Sequence, residues 1–76
     1  MTAGEGDRLK RLWRLRKHGH SAEAQLRPKG EQGVEVRFLY DGAVTYERAW
    51  STREDAVEEA LQKRAELERS GWIAHW

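Results

Sequence analysis

The densest group of chemistry-bearing residues in this sequence is basic. Arg8, Lys10, Arg11, Arg14, Arg16 and Lys17 fall within ten residues, and His18 and His20 follow. Guanidinium groups at alternate positions of a strand share one face, and there they can follow a run of phosphates. Arg11, Arg14, Arg16, Lys17 and, on a paired return strand, Arg27 are therefore the candidate nucleic-acid-binding residues. Glu23, Glu35 and Glu47 are expected on or near the same face, where they cut the field. That face offers no clear aromatic platform for stacked bases. The ordinary role of such a run is an edge strand kept from aggregating by its charge.

The remaining chemistry is thin. His18 and His20 stand two residues apart, on one side of a strand, but a metal site needs three or four convergent ligands. His75 is the only other histidine. Of the serines, Ser51 reads as a helix cap and Ser70 as a helix end, which leaves Ser21 without a base or an orienting acid. Glu58 and Glu59 are expected on the exposed side of a helix. No set forms a pocket, so the chain is expected to be no enzyme, with no cofactor, metal or small-molecule substrate. Trp13, Phe38, Tyr46, Trp50 and Trp72 read as core. Trp76 is the candidate anchor for a protein interface, because tryptophan is enriched at hot spots.

The chain's 76 residues suffice for one domain with a small core. Charged residues make up 36% and hydrophobic ones 38%, which suits a soluble surface around a thin interior. There is no cysteine, which excludes disulfides and thiolate metal sites. A small domain without such staples needs large side chains, and four tryptophans meet that need. No apolar run approaches the roughly 20 residues of a membrane span. The start of the chain lacks the apolar core of a secretory signal, so the expected location is the cytoplasm. The net charge of +1 is unevenly spread. Residues 1–30 hold eight Lys or Arg against three acids, while residues 31–50 hold two against four and residues 51–76 four against six.

The elements that must position these residues can be read in turn. Ser51 to Trp72 reads as one helix. Ser51 and Glu54 form a capping box, and Glu54 and Asp55 suit the positive end of the dipole. Val57, Ala60, Leu61, Arg64, Ala65 and Leu67 follow helical spacing and are expected to face the core. Gly71 can take the left-handed conformation that ends a helix, with Trp72 and Ile73 folding back over the core. Residues 1–8 read as a disordered lead, and 9–76 as a single domain.

Leu9 to Leu26 reads as a hairpin turning at His18-Gly19. That register pairs Leu15 with Ala22, Trp13 with Ala24, Arg11 with Leu26 and Arg14 with Glu23. A helix over residues 8–18 is the alternative. Val34 to Tyr40 alternates cleanly, and Val44 and Tyr46 continue a second alternation. A two-residue turn at Asp41-Gly42 mixes the apolar faces. A three-residue loop of Tyr40, Asp41 and Gly42 aligns them, with Phe38 opposite Val44 and Val36 opposite Tyr46. The expected fold is α+β: a four-stranded antiparallel meander of two hairpins, with one C-terminal helix packed on one face.

Leu12-Trp13-Arg14-Leu15-Arg16-Lys17, a small-residue return strand, the Asp41-Gly42 turn and a helix closing on Ser70-Gly71-Trp72 together resemble a recurrent type of short bacterial protein. The resemblance covers about residues 11–72 and implies a fold without an activity. Ala56, Ala60 and Gly71-Trp72 are also similar to the end of the Trp-Gly-Arg domain of nucleic-acid-associated proteins. The tripeptide of that family is absent, since the turn reads Tyr40-Asp41-Gly42-Ala43, and no functional residue is transferred. The function expected is a small interaction module that binds another protein or a second copy of itself. The alternative is a nucleic-acid-binding module using the basic first hairpin.

Overall fold

The computed structural model describes residues 9–74. The elements in chain order are β1 (Lys10–Lys17), β2 (His20–Pro28), β3 (Val34–Tyr40), β4 (Ala43–Trp50), α1 (Arg53–Arg69) and β5 (Ile73–Ala74). A 3-10 turn, Gly30–Gln32, joins β2 to β3. The strands lie in the order β4-β3-β2-β1-β5. Each neighbouring pair is antiparallel. The α+β class, with one helix among the described residues packed on one face of the sheet, is as the sequence implies. The sheet has five strands rather than four, because Ile73 and Ala74 return to pair with Arg16 and Leu15.

The first hairpin turns at His18 and Gly19, whose φ angles are 51° and 81°. Two consecutive positive φ angles give the turn whose twist matches its flanking strands. The helical alternative is thereby overturned, and Leu15 faces Ala22, Trp13 faces Ala24 and Arg14 faces Glu23. One expected pair is wrong. A bulge at Leu12 sets Arg11 opposite Gln25 and gives Leu26 to Lys10. The extra residue turns Arg11 away from the core face, and Leu12 packs against the core instead.

The second hairpin corrects the sequence reading. Its turn has two residues, Asp41 (φ 51°) and Gly42 (φ 85°), with Tyr40 opposite Ala43. The mixing of faces that this turn would cause is undone by a bulge at Thr45. Beyond it Phe38 faces Tyr46, Val36 faces Arg48 and Val34 faces Trp50. The Thr45 hydroxyl donates to the Phe38 carbonyl at 3.3 Å and holds the bulge. Val44 therefore stands beside Leu39 on the outer face, not opposite Phe38.

The helix starts one residue later than expected. Thr52, not Ser51, is the cap, and its hydroxyl accepts from the Asp55 amide at 3.2 Å. The stop is as read. Gly71 has φ 101°, the Gly71 amide donates to the Glu68 carbonyl, and Trp72 donates to Leu67 at 3.0 Å. Ala56 and Ala60 are fully buried, so the helix axis lies close to the sheet. Leu61, expected in the stripe, is 52% exposed. Ile73 lies exposed at the sheet edge rather than over the core, while Trp72 does pack against it.

Trp13, Leu15, Leu26, Val36 and Phe38 fill the space between sheet and helix. Burying each such side chain is worth about 1.5–3 kcal/mol. Trp13, Ala24, Phe38 and Tyr46 form one lateral row. The small Ala24 lets Trp13 reach Phe38 at a centroid distance of 6.0 Å, and Phe38 stacks on Tyr46 at 5.1 Å. The Trp13 indole N–H donates to the Ala60 carbonyl at 2.8 Å, which fixes the helix on the sheet.

Candidate functional site

Two surfaces compete for a functional role: the outer face of the sheet, where the basic residues were expected, and the margin where β4 meets α1.

On the outer face the basic residues do not act as one set. Arg11 lies 3.6 Å from Glu23, and Arg27 lies 3.2 Å from Glu35. Lys29 approaches Glu35 as well, at 3.9 Å. The Arg27–Glu35 contact is within ion-pair range but is not aligned as a hydrogen bond. Arg37 donates to Glu47 at 3.1 Å. Each pair has one largely covered member; surface pairs of this kind are worth about 0–1 kcal/mol each, yet they offset much of the field a phosphate would meet. Lys17 points elsewhere, and its ammonium donates to the Ser70 carbonyl at the C-terminal end of α1. Arg14 and Arg16 have no ion-pair partner among the described residues. Of the five candidates, then, two are paired, one caps the helix, Arg16 lies exposed on the outer face, and Arg14 lies half-buried there with its Nε covered and without a hydrogen-bond partner. Trp76 and residues 1–8 lie outside the described residues.

His20 hydrogen-bonds Asp41 at 2.9 Å, and Asp41 also accepts from the Ser21 amide at 3.0 Å. These bonds, the backbone one foremost, hold the Asp41 carboxyl below its usual range. Their role is to tie the two turns together at one end of the sheet. Among the described residues no group of three His, Cys, Asp or Glu converges as a metal site. No helix among them is long and apolar enough to cross a membrane.

The margin of β4 and α1 is built differently. β4 ends the sheet, and among the described residues no strand pairs with its outer side. Every residue from Ala43 to Ala49 is exposed. Beside it runs a groove of two joined hollows. One, of about 310 Å³, has Phe38, Tyr40 and Tyr46 on the sheet side and Glu59, Lys63 and Glu66 on the helix side. The other, of about 240 Å³, lies between Arg48 and Trp50 and the helix residues Asp55, Glu58 and Glu59. Glu59 and Gln62 belong to both.

Glu59 is the hinge of this groove, and its expected place on the open side of the helix is wrong. Its carboxylate accepts from the Trp50 indole at 2.6 Å and from the Tyr46 hydroxyl at 2.5 Å. The bond to Glu59 is the main reason the Tyr46 phenol is pushed above its ordinary value. Lys63 donates to Glu66 at 3.0 Å, which raises the Lys63 ammonium. The Arg48 guanidinium lies 3.9 Å from the centroid of the Trp50 ring. Sequence reasoning treated Tyr46 and Trp50 as core and missed Glu59. The alternation Tyr46, Arg48, Trp50 was the available signal, because an arginine between two aromatics on one face marks a margin rather than an interior.

No family model, curated protein or solved structure matches this chain.

Proposed function

We propose that this protein is a small interaction module that binds an extended segment of another protein along β4. The observation that carries this reading is the open length of β4 beside a groove lined by aromatic and charged side chains. An edge strand presents a row of backbone donors and acceptors, and an added strand takes its affinity from them. Specificity then comes from alternate side chains, which an added strand would turn towards the groove. No catalytic role is proposed. A bacterial, cytoplasmic setting is carried over from the sequence as part of the same proposal.

The test is a selection of short displayed peptides on the folded protein, with the winners resynthesised carrying backbone N-methyl groups at odd or at even positions. Pairing along β4 predicts that one of the two sets loses binding by about tenfold or more, since each lost hydrogen bond costs about 0.5–1.5 kcal/mol. Amide shifts of the protein should map to residues 43–50. Equal binding of both sets, or shifts elsewhere, refutes the reading.

A second reading, nucleic-acid binding, rests on exposed Arg16 and half-buried Arg14, which share the outer face without ion-pair partners among the described residues. It predicts anisotropy changes with labelled single-stranded or duplex nucleic acid that fall steeply with salt. It also predicts that Arg14→Glu/Arg16→Glu abolishes them. Binding seen only at low salt, or unchanged in that variant, sinks this second reading.

A further inference from the structure

Resting on the edge-strand reading, we infer that the groove selects a basic occupant: an extended segment of a partner protein with Lys or Arg at alternate positions. Four carboxylates, Asp55, Glu58, Glu59 and Glu66, line the groove against two cations, Arg48 and Lys63. The chain as a whole is slightly basic, at +1, so the acidity of this flank is local. The groove therefore attracts a cationic segment while the opposite face of the sheet, with Arg14 and Arg16, repels it.

The arrangement already accommodates a guanidinium. Arg48 lies over Trp50 with carboxylates on the facing helix, and Asp55 and Glu58, which have no ion-pair partner among the described residues, are the acids open to a further cation. Glu59 is held by two donors from β4, Trp50 and Tyr46, so its carboxylate is oriented before a partner arrives. The spacing also agrees. Alternate side chains of a strand repeat about every 6.6 Å. Acids one helical turn apart, such as Asp55 and Glu59, repeat about every 5–6 Å. Successive cations of an added strand thus meet successive turns of α1.

The probe is a labelled peptide alternating Lys with Thr, titrated by fluorescence anisotropy at low and at physiological salt. It is compared with an analogue carrying Glu in place of Lys, and with a peptide of the same composition whose Lys form one block. The expected result is that the alternating Lys peptide binds best and the Glu analogue at least about tenfold more weakly. Glu58→Gln weakens the Lys peptide about two- to fivefold, the range for one exposed ion pair. Glu23→Gln, which makes the same change in net charge on the other face, leaves it unchanged. Equal weakening by the two variants overturns the inference, as does a Glu analogue that binds as tightly. If selected peptides stay sensitive to N-methylation but show no preference for cations, the edge-strand reading stands and the basic occupant falls. If the N-methyl sensitivity is itself absent, both fall.

Discussion

Gly33→Ala tests the link between the loop after β2 and the start of the groove. Gly33 has φ 98°, and a Cβ built there would lie 2.1 Å from the Trp50 carbonyl oxygen. The Ser51 Cα and Trp50 carbonyl carbon stand at 3.0 and 3.1 Å. All three atoms are backbone, so no side chain can swing aside. Trp50 is held opposite Val34 at the end of the β3–β4 ladder, so its carbonyl retreats only by breaking that pairing. Gly33 (φ 98°, ψ −134°) occupies a region that essentially only glycine enters, which costs an alanine about 1–3 kcal/mol, and the forced shift adds about 1–3 kcal/mol. At about 0.05–0.15 kcal/mol per residue, a chain of 76 residues has about 4–11 kcal/mol in all. The substitution should therefore lower Tm by about 10 °C or more. Gly42→Ala is the control, because Gly42 has φ 85° but nothing within 4 Å of the added Cβ. It should lose only the backbone part. Both variants are measured by urea and thermal unfolding, followed by circular dichroism and tryptophan fluorescence. A Gly33→Ala protein no less stable than Gly42→Ala would refute the close approach of Gly33 to Trp50.

Trp13→Phe keeps most of the packing but removes the donor to the Ala60 carbonyl. It should cost about 1–3 kcal/mol in urea unfolding, as cavity and lost hydrogen bond together. Leu61→Lys should leave stability within about 0.5 kcal/mol, since Leu61 is 52% exposed despite its place in the apolar spacing. The Tyr46 phenol has its folded pKa raised, so the stability it contributes is complete below its unfolded pKa. That contribution is lost as pH rises through the folded value. A spectroscopic titration should show one tyrosine ionising late, and Glu59→Gln should bring it back towards the ordinary range. Asp41 runs the other way, because its folded pKa is depressed. Its contribution is present above the unfolded carboxylate value and lost as pH falls through the folded one. A carbon-detected NMR titration should place Asp41 among the last carboxyls to protonate on acidification.

Much of the first hairpin was legible because its signals are local. His18-Gly19 can take two positive φ angles, and alternation from Trp13 to Leu26 names the buried side. The Leu12 bulge was not legible, because its cause is the need to keep Arg11 off a face defined by distant residues. In the second hairpin the local and the longer-range signals conflicted. Asp41-Gly42 asks for a two-residue turn, while the apolar sets ask for an offset of one. The chain satisfies both by placing the offset at Thr45, inside the strand, instead of in the loop.

The sequence by itself determined the class of fold, the helix and its Gly71 stop. Each of these follows from periodicity and from backbone conformations only certain residues adopt. The choice of strand over helix for residues 10–17 was made by the structure. The sequence also showed the basic residues gathered in the first stretch of the chain. Whether they act together was decided only by the tertiary structure, through the neighbours it gave them: Glu23 beside Arg11, Glu35 beside Arg27, the helix end beside Lys17. The groove is likewise a tertiary product. Trp50 and Glu59 are nine residues apart and meet only because α1 runs back beside β4, and charge and aromatic surface gain a joint meaning only where two elements adjoin.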